Sequence, residues 1–139
     1  MTRKQARENA FVAMFSLSFG EDEQGVLDQS REDGAEHPVD AFGEGVIRLY
    51  EKHPAEVDKA IGEHLKGWTM ERIQKVNLAI LRLSVAEILY GGPDMDSVII
   101  NEAVELAKKF GDEEDYQFVN GILGSISRQK DADARKEEG

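Results

Sequence analysis

The chain has 139 residues, 40% of them hydrophobic and 32% charged, which fits one globular domain or two small subdomains sharing a core. Its formal charge is −11, which sets bulk electrostatics against general nucleic-acid binding. The absence of cysteine excludes a disulfide framework, a thiolate nucleophile and a cysteine metal site. No apolar run approaches the ~20 residues that span a bilayer, and the start MTRKQARENA has no apolar secretory core. A cytoplasmic protein without membrane attachment is expected.

Apolar residues recur at helical spacing almost throughout, and no alternating strand pattern is convincing, so an all-α protein is expected. A first helix over residues 2–19 places Ala6, Ala10, Ala13, Met14 and Leu17 on one face as its core stripe. Residues 20–37 are acidic, with little apolar content, and read as a loop. A second helix, residues 39–53, turns Phe42, Val46, Leu49 and Tyr50 inward. Pro54 then opens a third, which runs to Lys66 with Val57, Ile61 and Leu65 inward. Thr69 is placed to cap a fourth helix over 70–90. That helix is apolar on most of its circumference and is expected to be central. Gly91, Gly92 and Pro93 stop it. Asp96 or Ser97 caps a fifth helix that ends at Phe110, with Gly111 as a left-handed terminator. A sixth covers residues 114–128 with Val119, Ile122, Leu123 and Ile126 inward, and the tail DADARKEEG is expected to fray.

Candidate catalytic chemistry is sparse. His37, His53 and His64 form neither an HExxH motif nor an i, i+4 pair, so no metal site is expected. No P-loop, GxGxxG or GxSxG is present, and most acids stand in solvated runs. No enzyme and no cofactor are expected.

The charge is unevenly spread. Residues 21–40 hold eight acids against one arginine, a net −7, whereas Arg3, Lys4 and Arg7 outweigh Glu8 in the first twenty residues. At about 100° per residue, Arg7, Phe11, Lys4 and Phe15 fall within about 80° of one another beside the core stripe. Cations neutralise phosphates and aromatic rings stack on unpaired bases, a combination suited to single-stranded RNA. The same spacing also fits Phe11 and Phe15 as a widened core face with the cations merely solvated. Cations at a helix start oppose the helix dipole, so helix stability does not explain them. Lys108 and Lys109 beside Phe110 repeat the ambiguity, as does Phe118. The acids 112–115 suit the start of the last helix.

The stretch INEAVELAKKFGDEEDYQFVNGIL resembles the C-terminal signature of the NusB family of transcription antitermination factors. VNLAILRLSVAEIL at 76–89 is similar to that family's central helix, and RKQARENAFVAMFSLSF at 3–19 to its first helix. The resemblance is collinear over nearly the whole chain, with residues 20–37 least similar. It implies an all-helical bundle of two packed subdomains, here about 1–66 and 67–128 followed by a polar tail at 129–139. The implied role is non-enzymatic: binding of single-stranded boxA RNA together with NusE, linkage to RNA polymerase through other Nus factors, and processive transcription of ribosomal RNA operons. Monomer and homodimer both stay open, and the homodimer would cover Phe11 and Phe15.

Position by position, the resemblance assigns Arg3, Lys4 and Arg7 to phosphate contacts. It places Phe15 where many relatives carry a tyrosine, so a stacking face remains without the hydroxyl. Asn77 stands at an often acidic position and can both accept from and donate to a base. Lys108, Phe110, Glu114 and Phe118 complete the implied RNA surface. Extra acids near it imply weak binding alone and tighter binding with NusE. A helical protein-interaction module without RNA contact is the alternative that the acidic charge supports.

Overall fold

Residues 75–90 carry so many apolar side chains that they can be satisfied only by burial on several sides, and the fold is arranged around them. The structure, a computed structural model, describes residues 1–91 and 94–138. It contains seven α-helices: α1 (Arg3–Leu17), α2 (Glu23–Ser30), α3 (Ala41–Lys52), α4 (Pro54–Glu63), α5 (Lys75–Tyr90), α6 (Asp96–Phe110) and α7 (Asp115–Glu138). No strand occurs among the described residues, so the all-α reading holds. Helix α5 touches α1, α3, α4, α6 and α7 and buries Ile80, Leu81, Leu83, Val85 and Ile88 among them. Each such side chain stabilises the fold by roughly 1.5–3 kcal/mol relative to exposure. One continuous apolar cluster extends from Ala10 to Ile126, across the expected subdomain boundary near residue 66.

The local signals explain most helix starts. Thr2 accepts from the Gln5 amide at 3.0 Å and starts α1; Asp40 accepts from the Gly43 amide at 2.7 Å and starts α3. Pro54 sits in the first turn of α4. The expected core stripe of α1 is buried at Ala6, Ala10, Ala13 and Met14, with Leu17 packed at its edge, and Phe11 is buried with them.

Five expectations need correction. Residues 20–37 are not a loop throughout, because α2 lies within them. Asp22 accepts from the Gly25 amide at 2.9 Å, and Leu27 is wholly buried. One deeply packed leucine and the half-buried Val26 suffice to seat a two-turn helix on α1 that periodicity over so few residues does not reveal. The fourth expected helix is divided: Met70–Arg72 form a single 3-10 turn, Ile73 and Gln74 are extended, and α5 begins at Lys75, with no capping bond from Thr69. Met95, not Asp96 or Ser97, precedes α6 as its cap position. Asp96 instead accepts from Ser127 Oγ at 2.7 Å and Lys130 Nζ at 2.8 Å, pinning α7 to the start of α6. Gly111 is extended (φ −94°, ψ −176°) rather than left-handed. It is needed for space, since a Cβ there would come within 2.8 Å of both the Ala107 carbonyl and Asp115 Oδ2. Finally, α7 runs to Glu138, so the polar tail is helical. Gly92 and Pro93 of the expected stop lie outside the described residues.

The buried polar groups fix how α1 sits. Asn9 is 1% exposed; its Nδ2 donates to the Pro38 carbonyl at 2.8 Å and holds the segment before α3 against α1. Arg7, on the same helix, is 7% exposed and reaches α5. Its Nε donates to Glu87 Oε1 at 3.1 Å, its Nη2 to Glu87 Oε2, and Nη2 also to Asp94 Oδ2 at 2.7 Å. Burial disfavours the guanidinium's charge, but bonding and attraction from Glu87 and then Asp94 more than offset it and raise its pKa above the ordinary value. Arg7 stays charged at any pH at which the protein folds.

Two stability predictions follow from this packing. Arg7→Ala leaves Glu87 buried without a counter-charge and should cost about 3–5 kcal/mol in urea unfolding, while the paired change Arg7→Met with Glu87→Leu should recover most of that loss. Leu27→Ala should cost about 2–5 kcal/mol and be seen as faster amide exchange over residues 23–30.

Candidate nucleic-acid interface

The first part of the site is built by three phenylalanines at i, i+4 spacing. Phe11 is buried, Phe15 half-buried and Phe19, just past the end of α1, is 59% exposed. The rings form a chain from core to solvent: Phe11 to Phe15 at 6.1 Å between centroids, then Phe15 to Phe19 at 5.0 Å edge-on. Phe110, at the end of α6, packs on Phe11 at 5.0 Å. The core reading is therefore right for Phe11, while Phe15 and Phe110 are half-covered at the margin.

The N-terminus of α5 extends this margin. Lys75 Nζ lies 4.5 Å from the Phe19 ring centroid and donates to the Ser18 carbonyl at 3.0 Å. Gln74 Nε2 donates to Asp112 Oδ2 at 3.1 Å, joining the start of α5 to the α6–α7 junction. Gln74 occupies the cap position without a capping bond, and the first turn holds no acid. An uncapped helix start of this kind favours negative charge.

Beside it lies a pocket of about 290 Å3 lined by Trp68, Arg72, Ile73, Gln74, Asn77, Glu114, Asp115 and Phe118. Asn77 is 3% exposed, and its Oδ1 has no hydrogen-bond partner. A buried unpaired acceptor costs about 1–3 kcal/mol, so a water or a ligand donor that reached it would be favoured here. A half-turn about Cβ–Cγ presents either end of the carboxamide at little cost. Asp115 Oδ2 already accepts from the Asp112 amide at 2.7 Å, which leaves Glu114 as the rim carboxylate without a side-chain bond among the described residues.

Among the residues expected to bind RNA, Phe15, Asn77, Phe110, Glu114 and Phe118 are gathered along this margin. Lys108 is nearby, 51% exposed, 3.8 Å from Glu105 and 5.0 Å from the Tyr116 ring centroid. The cations of α1 stand elsewhere. Arg7 is buried with its guanidinium committed to Glu87 and Asp94, which leaves it no free face for a phosphate in this fold. Arg3 lies over the Phe42 ring at 3.9 Å and 3.4 Å from Asp94. It is separated from Phe15 by about 18 Å along the helix. Lys4 lines a cleft with Glu8, Glu102, Glu105, Leu106 and Lys109, in which Lys109 bridges Glu8 at 2.7 Å. That bridge, before the smaller opposing effect of burial, holds the Glu8 carboxyl below its usual range.

Sequence reasoning missed Phe19, Trp68 and Lys75. Phe19 continues the Phe11–Phe15 spacing by one more step, and this signal was available. Trp68 gave only the signal of a large aromatic residue in a polar connection, and Lys75 gave none. Among the described residues no group of three or more His, Cys, Asp or Glu could hold a metal, and no helix is long and apolar enough to cross a membrane.

Comparison with known proteins agrees with this fold. The NusB family model matches residues 4–128. Transcription antitermination protein NusB of Macrococcus caseolyticus is 38% identical over 130 residues, covering 94% of this chain and 99% of that protein. The same protein from Bacillus velezensis is 39% identical over 131 residues, covering 91% and 95%. Among solved structures, T. maritima NusB superposes with a TM-score of 0.80 at 29% identity, covering 92% of each chain. A chain from the crystal structure of antitermination factors NusB and NusE in complex with dsRNA has a TM-score of 0.76 at 26% identity, covering 91% of this chain and 96% of that one. Signature, fold and matches over nearly the full length converge, and the chain belongs to the NusB family.

Proposed function

We propose that this protein is a non-catalytic transcription antitermination factor that binds single-stranded boxA-type RNA together with NusE. Through other Nus factors it joins the transcribing polymerase in the cytoplasm and supports processive transcription of ribosomal RNA operons. The observation that carries the RNA reading is the unpaired Asn77 carboxamide in a pocket walled by Trp68 and Phe118. An unstacked base offers both what the carboxamide lacks, a hydrogen-bonding edge, and what the rings favour, a flat face. Glu114 at the rim adds an acceptor for an exocyclic amine, which favours adenine, cytosine or guanine over uracil there.

Electrostatics explain why a partner is needed. With Arg7 withdrawn, the cations along the proposed surface are Arg72, Lys75 and Lys108, on a chain of −11. Three phosphate contacts give a log–log salt slope of only about −2.1 by the single-strand rule. A partner bringing basic charge to the acidic surface raises affinity without any change in the pocket. A protein-interaction role without RNA draws on the same acidic charge, and it predicts partner binding with no recruitment of RNA.

Fluorescence anisotropy of a boxA-like RNA, with and without NusE, should show sequence-dependent binding that NusE strengthens. Equal binding of a scrambled RNA in both cases would contradict the proposal. Asn77→Leu separates function from stability. It should weaken RNA binding about tenfold while raising unfolding stability by about 1 kcal/mol, since the orphaned acceptor is gone. Unchanged RNA affinity in a folded Asn77→Leu protein would remove the pocket from the reading.

A further inference from the structure

Trp68 stands between two depressions and walls both. The first is the Asn77 pocket. The second is a groove of about 390 Å3 between the connection after α4 and the outer face of α7. Its lining includes His64, Lys66, Trp68, Phe118, Gly121 and Arg128, and no acid. On a chain with 28 acids against 17 lysines and arginines, a depression whose ionisable lining residues are all basic favours an anionic occupant.

The groove is open for identifiable reasons. Gly67 adopts φ +76°, a left-handed conformation that suits glycine, and the turn leaves Trp68 55% exposed. A Cβ at Gly121 would meet no atom within 4 Å, so the absent side chain leaves room instead of relieving a clash. The basic groups are uncommitted. Lys66 and Arg128 form no ion pair among the described residues, and Arg128 Nη2 bonds only the neutral Ser125 Oγ, at 3.2 Å. His64 Nδ1 is satisfied by the Ala60 carbonyl at 2.8 Å, which leaves Nε2 without an intramolecular partner. Trp68 and Phe118 lie 6.2 Å apart between centroids and are shared with the first pocket, so a strand leaving one depression enters the other across the indole.

We infer that this groove is a second nucleotide-binding subsite, in which a base stacks on Trp68 and the adjoining phosphate is held by Lys66 and Arg128. It extends the single-stranded RNA path past the Asn77 pocket and onto α7, and it rests on the RNA reading above. Phosphate contact by cations and sequence-tolerant stacking on aromatic faces are together what continues a strand without reading its sequence. The subsite would lengthen the RNA footprint without adding base preference.

Trp68 is the sole tryptophan, so its fluorescence reports this wall directly. Two RNAs are titrated into the protein with NusE present: a boxA-like core, and the same core extended by a few uridines at both ends. The variants are Arg128→Glu and Gly121→Leu, both outside the Asn77 pocket. Gly121→Leu fills the groove and replaces a poor helix former, so it should fold at least as well as the parent. The extension should tighten binding to the parent protein about tenfold and quench Trp68 further. Both variants should lose that gain while binding the short RNA as the parent does. An equal gain in the variants, or none in the parent, overturns the subsite and leaves the boxA reading intact. Failure of the short RNA to bind the parent overturns both. Quenching of Trp68 by NusE without RNA, with NusE binding weakened by Gly121→Leu, would give the groove to a protein partner and overturn the subsite.

Discussion

The Arg7–Glu87 ion pair sets the geometry on which the rest depends. Helix α1 can roll against α5 in many ways that bury three alanines and a methionine, because small side chains specify orientation weakly. A guanidinium bonded by two of its nitrogens to a carboxylate that is 6% exposed admits one roll. Such a pair contributes little net stability, since desolvation of both ions offsets most of their attraction, but breaking one half leaves an intolerable charge. Here it works with Asn9, two residues on and across the helix, which ties α1 to Pro38. With the roll fixed, the Phe11–Phe15–Phe19 line can lie only along the start of α5, where Lys75 meets it.

As a proposed RNA surface, this margin is built differently from most. It carries no massed positive charge among the described residues. It offers graded aromatic exposure, an uncapped helix start and an acceptor-rich pocket. In the proposed role, an acidic protein with such a surface would hold RNA by base contacts and leave phosphate neutralisation to its partner. That division of labour suits an adaptor, because neither component alone retains RNA strongly and the assembled pair does. The groove beyond Trp68 is the exception on α7, a small basic stretch placed where a strand leaving the pocket would need it.

The legibility of the molecule varied with the range of the interactions. Helices α1, α3, α4 and α6 were readable because their apolar spacing and start signals are local. Helix α2 was not, because its fit depends on one leucine entering a core made by distant residues. Gly111 was readable as a helix stop, yet its backbone is extended, and what demands glycine is the Ala107 carbonyl and the Asp115 side chain. The family resemblance assigns Arg7 to phosphate, and local sequence does not reveal the carboxylate 80 residues away that occupies it. The missed clue was Glu87, an acid in an otherwise apolar turn of the central helix, which needs a buried cation. For Asn77, the family resemblance pointed to the position, and only the packed structure revealed that its acceptor is orphaned. The rim around Trp68 depends on how a connection crosses α7, which no local pattern encodes.

The central claim is that RNA lies along the start of α5 and the α6–α7 junction, not along the basic start of α1. Amide and side-chain chemical-shift mapping of the isotope-labelled protein with single-stranded RNA tests it most directly. The account predicts the largest changes at Phe15, Phe19, Lys75, Phe118 and the Asn77 carboxamide, with Arg7 nearly silent. Changes concentrated at Arg3, Lys4 and Arg7, with an undisturbed Asn77, would contradict it.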